Sequence, residues 1–446
     1  MEQGSPAASV TPATYPARPY AWMVVGLLTL AYVISFIDRQ ILSLLVGPVR
    51  ADLGISDTQM SLLMGFSFAL FYTVCGIPLG RLADSWSRRW IVTIGVMFWS
   101  AATAACGLAQ HYWHLFLGRI GVGIGEAALS PSAYSLIADY FPPERRATAI
   151  SVYGMGIFIG AGLAYILGGL IVGLAAAHGE VVLPLVGATR PWQVVFFVLG
   201  GIGLVFAWGL LLIREPVRHG TLGHGAIPLR EVLATLLQHR RTVLLHNFGF
   251  ALIALASYSA NAWMPSVWQR VHGWPIRDVG LIYGSVVAVF GAIGIVFGGW
   301  LADRWKARGM SDATLRVGAI AAGCGALLAI SVALMPSGTA LAWMVVPLTF
   351  FFSMPFGVSA SAIQDLMPNR MRGQTSAIYL FVVNLVGLGI GPTAVALLTD
   401  YVFADDRMVG WSLGIVMAVA QGLACVLLWR GCAHYRHSLR QIHGGG

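Results

Sequence analysis

Gly118-Arg119-Ile120-Gly121-Val122-Gly123-Ile124-Gly125-Glu126-Ala127 sets an arginine and a glutamate seven residues apart in an otherwise apolar run, with glycines filling the space between. Seven residues is close to two helical turns, so both charges fall on nearly the same face, roughly 10 Å apart along the axis. Ionised side chains inside a membrane helix are costly and are kept there for function or for pairing. Whether this run is a membrane helix therefore decides how the rest of the chain is read.

The composition answers that question. The chain has 446 residues, of which 57% are hydrophobic and only 10% charged, whereas soluble domains carry about 25% charged residues. No water-soluble fold of this length hides so much apolar surface, so the chain is a polytopic membrane protein. Short alternating strands are absent, which favours helices over an outer-membrane barrel. The 54 glycines suit membrane helices, whose backbones approach closely at small residues. The net charge of +9 reflects basic residues in short loops on one side of the membrane, and no nucleic-acid partner is expected. Cys75, Cys106, Cys324, Cys425 and Cys432 are scattered through apolar segments without metal or disulfide spacing and read as small core hydrophobes. No cleavable signal peptide is visible, because the first apolar run is too long for one.

Runs of about 20 apolar residues, enough to cross a bilayer, occur near 21–48, 58–81, 90–110, 113–140, 147–176, 192–213, 243–264, 277–303, 313–334, 339–367, 373–399 and 408–432. The expected architecture is all-α, with twelve spans. A disordered tail covers 1–20, and a six-helix bundle 21–213. A linker at 214–242 holds a short surface helix from Leu229 to His239. A second six-helix bundle covers 243–433, followed by a tail at 434–446. Twenty of the 27 Lys and Arg residues fall in the tails and loops on one side and five on the other, with Arg39 and Arg119 inside helices. That asymmetry predicts both termini in the cytoplasm, and the expected location is a plasma (inner) membrane.

The halves repeat. Gly80-Arg81-Leu82-Ala83-Asp84 returns as Gly299-Trp300-Leu301-Ala302-Asp303-Arg304. Asp139-Tyr140-Phe141-Pro142-Pro143-Glu144-Arg145-Arg146 returns as Asp365-Leu366-Met367-Pro368-Asn369-Arg370-Met371-Arg372. Both pairs sit at predicted inner helix ends. Parallel six-helix repeats related by pseudo-two-fold symmetry are the architecture of a rocker-type secondary transporter.

These residues also carry a family resemblance. Gly80 to Arg89 resembles the signature loop between the second and third helices of the major facilitator superfamily. Arg119 to Glu126 resembles its fourth-helix arginine–glycine motif. Gly154, Gly156, Gly160, Gly162, Gly168 and Gly169 resemble its glycine-rich fifth helix, although the usual Gly-Pro pair is absent. Phe36-Ile37-Asp38-Arg39-Gln40-Ile41-Leu42 with Gly125-Glu126-Ala127 looks most like the Spinster branch, and a bacterial member of it. That branch implies lysolipid or sphingoid phosphate export in animals. The Asp-Arg pair also occurs in the anion:cation symporter branch. Asp84 sits near the expected start of the eleventh helix, where a carboxylate is favoured. Arg81, Arg88 and Arg89 can pair with Asp84 and Asp139. With Gly80, they are expected to form a cytoplasmic latch between the halves, and Asp303, Arg304 and Asp365 its counterpart.

Depth brings the buried charges together. Counting from the outer face, Arg119 lies about six residues deep, Asp38 about ten and Glu126 about thirteen, so at about 1.5 Å per residue Asp38 falls between the other two in height. The resemblance implies that the first and fourth helices both line the cavity. Two acids and one permanent cation suit proton coupling. Arg119 would favour the ionised form of whichever acid it touches, and desolvation the protonated form of the one it leaves. A static buried salt bridge would need only one carboxylate. Arg39 points about 100° away from Asp38.

Helices seven to twelve are expected to carry no ionisable residue near the midplane, with Asp303 and Asp365 at inner ends. Their polar candidates include Tyr258, Asn261 and Asn384, beside aromatics such as Phe356. Arg119 with these residues is the expected substrate cavity, suited to an amphipathic or anionic small molecule. No phosphate-cradling loop, metal-ligand spacing or nucleophile–base pattern is apparent. The expectation is thus a monomeric secondary transporter in the lipid bilayer, not an enzyme, driven by a proton gradient without cofactor or metal. Its expected activity is proton antiport exporting a lysolipid-like substrate. The alternatives are proton symport of a small organic anion, a transporter-fold sensor and a lipid-modifying membrane enzyme.

Overall fold

The structure is a computed structural model that describes residues 15–178, 181–183, 187–218, 229–368 and 371–443. Among them, eleven helices are long and apolar enough to cross a membrane. Helix 1 is Arg18–Leu44, helix 2 Asp57–Ala83, helix 3 Arg88–Cys106, helix 5 Thr148–Leu174 and helix 6 Pro191–Leu212. Helix 7 is Arg240–His272, helix 8 Ile276–Ala307, helix 9 Ala313–Leu334, helix 10 Gly338–Asp365, helix 11 Gln374–Phe403 and helix 12 Asp406–Ile442. The twelfth expected span is present as two pieces, Tyr112–Glu126 and Leu129–Tyr140, which together make helix 4. The interruption has a local cause. Pro131 has no N–H to offer the carbonyl of Ala127, and the turn tightens there, with Ala128 N–H donating to Gly125 O.

The expected surface helix in the linker is Leu229–Gln238. The expected tail at 434–446 is a correction: the last helix continues to His443. Two short antiparallel strands, Val181–Leu183 and Gly187–Thr189, cap the connection between helices 5 and 6. Their pairing was not anticipated.

The helix 1 start, the helix 6 end and the helix 12 end share one face, called the terminal face below; the opposite face is the distal face. Tyr20 marks the terminal side, accepting from Arg214 N–H and donating to Leu212 O, each at 2.8 Å. Toward the terminal face each half keeps its own apolar cluster, around Val92, Leu136 and Tyr140 in one and Phe250, Val317 and Leu428 in the other. Toward the distal face one cluster runs across both halves, joining Ile41, Leu45 and Met60 to Trp263, Trp268 and Val395. Small residues permit the close approach. A Cβ on Gly65 of helix 2 would sit 2.3 Å from Leu388 O of helix 11, and one on Gly280 of helix 8 would sit 2.3 Å from Tyr165 O of helix 5. The halves are therefore sealed distally.

Candidate functional site

Four ionisable side chains meet within the first half, but not in the expected pairing. Arg39 Nε lies 2.7 Å from Glu126 Oε2, and Ser35 Oγ donates to the same oxygen at 2.6 Å. Glu126 is shielded from solvent, while the Arg39 side chain keeps 13% exposure. The Arg39 guanidinium is framed by aromatic rings, 4.8 Å from the Phe36 centroid and 4.6 Å from those of Phe68 and Tyr72. Desolvated cation–π contacts of this kind are worth up to about 2 kcal/mol. They hold the charge at the cavity wall rather than letting it snorkel outward.

Arg119 is buried behind this pair. Its Nη1 donates to Asp38's backbone carbonyl at 3.0 Å and its Nε to Leu63 O at 3.4 Å. Leu63 lies in a π-helical turn, Leu62–Phe66, a geometry that loosens the helix's own hydrogen-bond ladder. Asp38 Oδ2 accepts from Thr103 Oγ1 at 3.2 Å. One polar atom on each of Asp38, Arg119 and Glu126 has no hydrogen-bond partner among the described residues. Arg119 was expected to touch one of the two acids, Asp38 or Glu126, and to switch between them. Instead it binds backbone carbonyls, and Arg39 takes the spare acid. The physical reason is the 100° step along helix 1: Asp38 turns toward helix 3, and Arg39 turns toward helices 2 and 4. The signal that could have found this is that a deep arginine needs a partner, and Arg39 was the one left without an assigned partner.

The glycines of helix 4 act as close-approach positions. A Cβ on Gly123 would lie 2.9 Å from Phe68 O, and one on Gly125 would lie 2.7 Å from Trp99 Cβ. Above Arg39, the space between the halves is bounded by Phe36, Gln40, Met64 and Phe68 on one side and Tyr258 and Pro392 on the other. Its volume is about 20 Å³, roughly one water.

Of the expected cavity residues, Tyr258 faces Arg39 across this space. Arg119 is too buried to be reached by a solute here. Asn261 belongs to the seam, its carbonyl accepting from Tyr165 at 2.8 Å and its Oδ1 from Tyr283 at 3.2 Å. Phe356 is exposed, and Asn384 is half-buried at the start of a second π-helical turn. The second half also holds a buried imidazole that sequence reasoning missed. His246 lies between Asn247 Oδ1 and Ser359 O, both at 2.9 Å, against Phe250 and Tyr379.

The ion pairs seen for Arg88 and Asp365, two of the expected latch residues, lie within their own halves. Arg88 is buried against Asp139 and lies 2.8 Å from Glu215. Arg89 lies over Trp90, and Arg81 near Gly80 is exposed. The Asp84 side chain is outside the described residues. In the second half Asp365 pairs with Lys306 at 2.7 Å rather than with Arg304, which lies over Trp300, and Asp303 is exposed. Bonds that do cross the halves gather at the distal face. Arg270 reaches Asp57 at 2.5 and 2.7 Å, Arg50 reaches Asp406 at 2.8 Å, Thr58 reaches Asp400 at 2.7 Å, and Ser61 reaches Thr393 at 3.2 Å.

The comparisons with known proteins agree with this architecture. An MFS-type efflux pump of Mycolicibacterium smegmatis is 29% identical over 424 residues, 94% of each chain. A hexuronate transporter of Bacillus subtilis is 26% identical, over 84% of this chain and 87% of its own. A bacterial homologue of the human lysosomal transporter Spinster, solved inward-facing and unoccupied, superposes with a TM-score of 0.77 at 27% identity, covering 95% of this chain and 98% of that one. The family profile described as Major Facilitator Superfamily matches residues 28–392. With two six-helix halves, a buried charge cluster and this match over most of its length, the chain belongs to the Major Facilitator Superfamily, resembles its Spinster members, and is a secondary transporter rather than an enzyme.

Proposed function

We propose that this transporter moves an anionic small molecule by proton-coupled alternating access, with Arg39 holding the anionic group and Glu126 and Asp38 exchanging the proton. The observation that carries the reading is the 2.7 Å Arg39–Glu126 bond at the cavity wall. A carboxylate or phosphate that takes Arg39 leaves Glu126 buried without its cation. A buried, unpaired carboxylate favours protonation. Substrate and proton then bind together, which is the logic of symport. Asp38, beside the buried charge of Arg119, is the second exchange group. The relation to the hexuronate transporter supports a small organic anion. The terminal face, which carries most of the basic residues, is the cytoplasmic one, and the distal seal makes this the inward-facing state in a plasma membrane.

Export of a lysolipid-like compound by antiport is the second reading. It is favoured by the exposed apolar side chains Phe356, Leu380 and Phe381 and by the Spinster homologue. It requires a zwitterion, whose ammonium would displace the proton from Glu126 while its phosphate binds Arg39. Proteoliposome flux under an imposed pH gradient separates the two. Uptake with acid outside indicates symport, and efflux against inward protons indicates antiport. Asp38→Asn is expected to abolish gradient-driven flux while leaving substrate exchange at equal pH; wild-type gradient-driven flux in that variant would overturn the coupling role.

A further inference from the structure

The terminal face of the second half carries a broad groove of about 580 Å³. Lys306 at the end of helix 8, Arg372 beside the start of helix 11, and Arg436 and Arg440 on the last helix line it, together with Asp365. Four cations thus face one carboxylate. Asp365 is engaged by Lys306 at 2.7 Å. Arg436 bonds Asp312, which also takes Arg316 at 3.0 Å. Arg372 points its Nε at the carbonyls of Gln364 and Met367. Arg440 is exposed and has no carboxylate within 4.0 Å among the described residues. The groove keeps a positive surplus.

The first half shows why this surplus is unusual. There the corresponding position is filled by the chain itself. Glu215, just after helix 6, accepts from Arg88 Nε and Ser87 Oγ at 2.8 Å and from Arg89 N–H at 3.0 Å. At offsets of 221 to 226 residues, Arg88 corresponds to Asp312, Glu215 to Arg436, and Asp139 to Asp365. The Arg88–Glu215 pair is thus charge-reversed as Asp312–Arg436, with Glu215 just after helix 6 and Arg436 near the end of helix 12. Each corner holds both signs, but the second half's two carboxylates, Asp312 and Asp365, face Lys306, Arg316, Arg372, Arg436 and Arg440.

We infer that the groove binds a phosphate ester at the membrane–water boundary, either the head group of an anionic phospholipid or a soluble phosphate of the same chemistry. Guanidinium groups suit phosphate oxygens through bidentate, charge-assisted bonds. The groove is built from the ends of four spans on the terminal face, and basic pockets between membrane helices select such head groups. Half-buried Leu439 adds an apolar wall for the glycerol region.

The test uses the full chain purified in neutral detergent. Thermal stability and native mass spectrometry are followed with phosphatidylglycerol, phosphatidylcholine or inorganic pyrophosphate. Phosphatidylglycerol is expected to bind and stabilise, and phosphatidylcholine to do so much less. Arg440→Gln is expected to weaken phosphatidylglycerol binding about fivefold, the worth of one cation near a membrane surface. Arg241→Gln, an equal charge loss on an exposed residue of the same face, is expected to leave it unchanged. Stabilisation by pyrophosphate that is also lost in Arg440→Gln supports the site and identifies a soluble ligand. Equal weakening by Arg440→Gln and Arg241→Gln shows diffuse attraction and overturns the proposal, as does equal binding of the two lipids. Arg440→Lys keeps the charge but loses the bidentate fork, and is expected to bind the lipid less tightly than the wild type and more tightly than Arg440→Gln; wild-type lipid affinity in Arg440→Gln also overturns the proposal.

Discussion

Neutralising Asp57 should release the distal seal. Its carboxylate is wholly shielded, takes both terminal nitrogens of Arg270, and lies 3.1 Å from Arg50. The two arginine side chains are only 13% and 21% exposed. Breaking a buried ion pair by removing one partner costs about 3–5 kcal/mol. Asp406 remains in the variant, 2.8 Å from Arg50 and 3.9 Å from Arg270, but it is 54% exposed and compensates only in part. The expected loss in Asp57→Asn is therefore about 2 kcal/mol, scaled down from that range. Only the distally closed state contains the contact, so the loss acts on the conformational equilibrium. It shifts the closed-to-open ratio roughly thirtyfold. Spin labels at Ala51 and Tyr401, exposed and one in each half, report the separation in a cysteine-free background. Asp57→Asn should transfer population to longer distances, and Asp406→Asn should do so less. An unchanged distribution in Asp57→Asn, or a larger change in Asp406→Asn, would refute the reasoning.

Other perturbations probe the seam, the site and the terminal face. Gly65→Ala places a methyl 2.3 Å from Leu388 O, so helices 2 and 11 must part; the same distance measurement should broaden toward the open state. Arg39→Lys keeps the charge but loses the planar contacts with Phe36, Phe68 and Tyr72; substrate affinity should fall roughly tenfold, read as KM in transport assays. Glu215 carries a pH signature. Desolvation pushes its carboxyl up, but the Arg89 N–H, the Arg88 guanidinium and the Ser87 hydroxyl outweigh that and hold it below the ordinary value. A depressed folded value stabilises fully above the unfolded value of about 4.3 and is lost as pH falls through the folded one. The gap in melting temperature between wild type and Glu215→Gln should therefore be full at pH 7 and close below about pH 4.

The helices, their number and the two-half repeat were legible because bilayer crossing imposes a length and a polarity that composition alone reveals. The gathering of Asp38, Arg119 and Glu126 in one half was legible from depth counting. The pairing was not. Depth gives height along an axis, whereas pairing depends on rotation about it, and one residue along helix 1 changes which neighbour is faced. Arg39 was left unassigned for that reason, although its cost inside the membrane demanded a partner. Conformation was hidden for a different reason. The latch residues are compatible with either state, and only the tertiary arrangement shows Arg88 bound inside its own half while Asp57 and Arg270 join the two. His246 was missed because a single histidine has no spacing pattern.

Helix 2 ties these observations together. Its distal end carries Asp57, Thr58 and Ser61, the first half's share of the seal. The π-helical turn Leu62–Phe66 follows at once, and its Leu63 carbonyl holds Arg119. One turn further, Phe68 and Tyr72 frame Arg39. A π-helical turn can give or take one residue's worth of rotation at low cost, because its ladder is already imperfect. On the proposed coupling, an anion that draws Arg39 from Glu126 also disturbs its stacking on Phe68. The nearest place for helix 2 to absorb the change is the turn between the site and the seal. The same helix thus feels the exchange at Arg39 and bears the contacts that must break for the distal face to open, so the two events are joined through one helix and its adjustable turn.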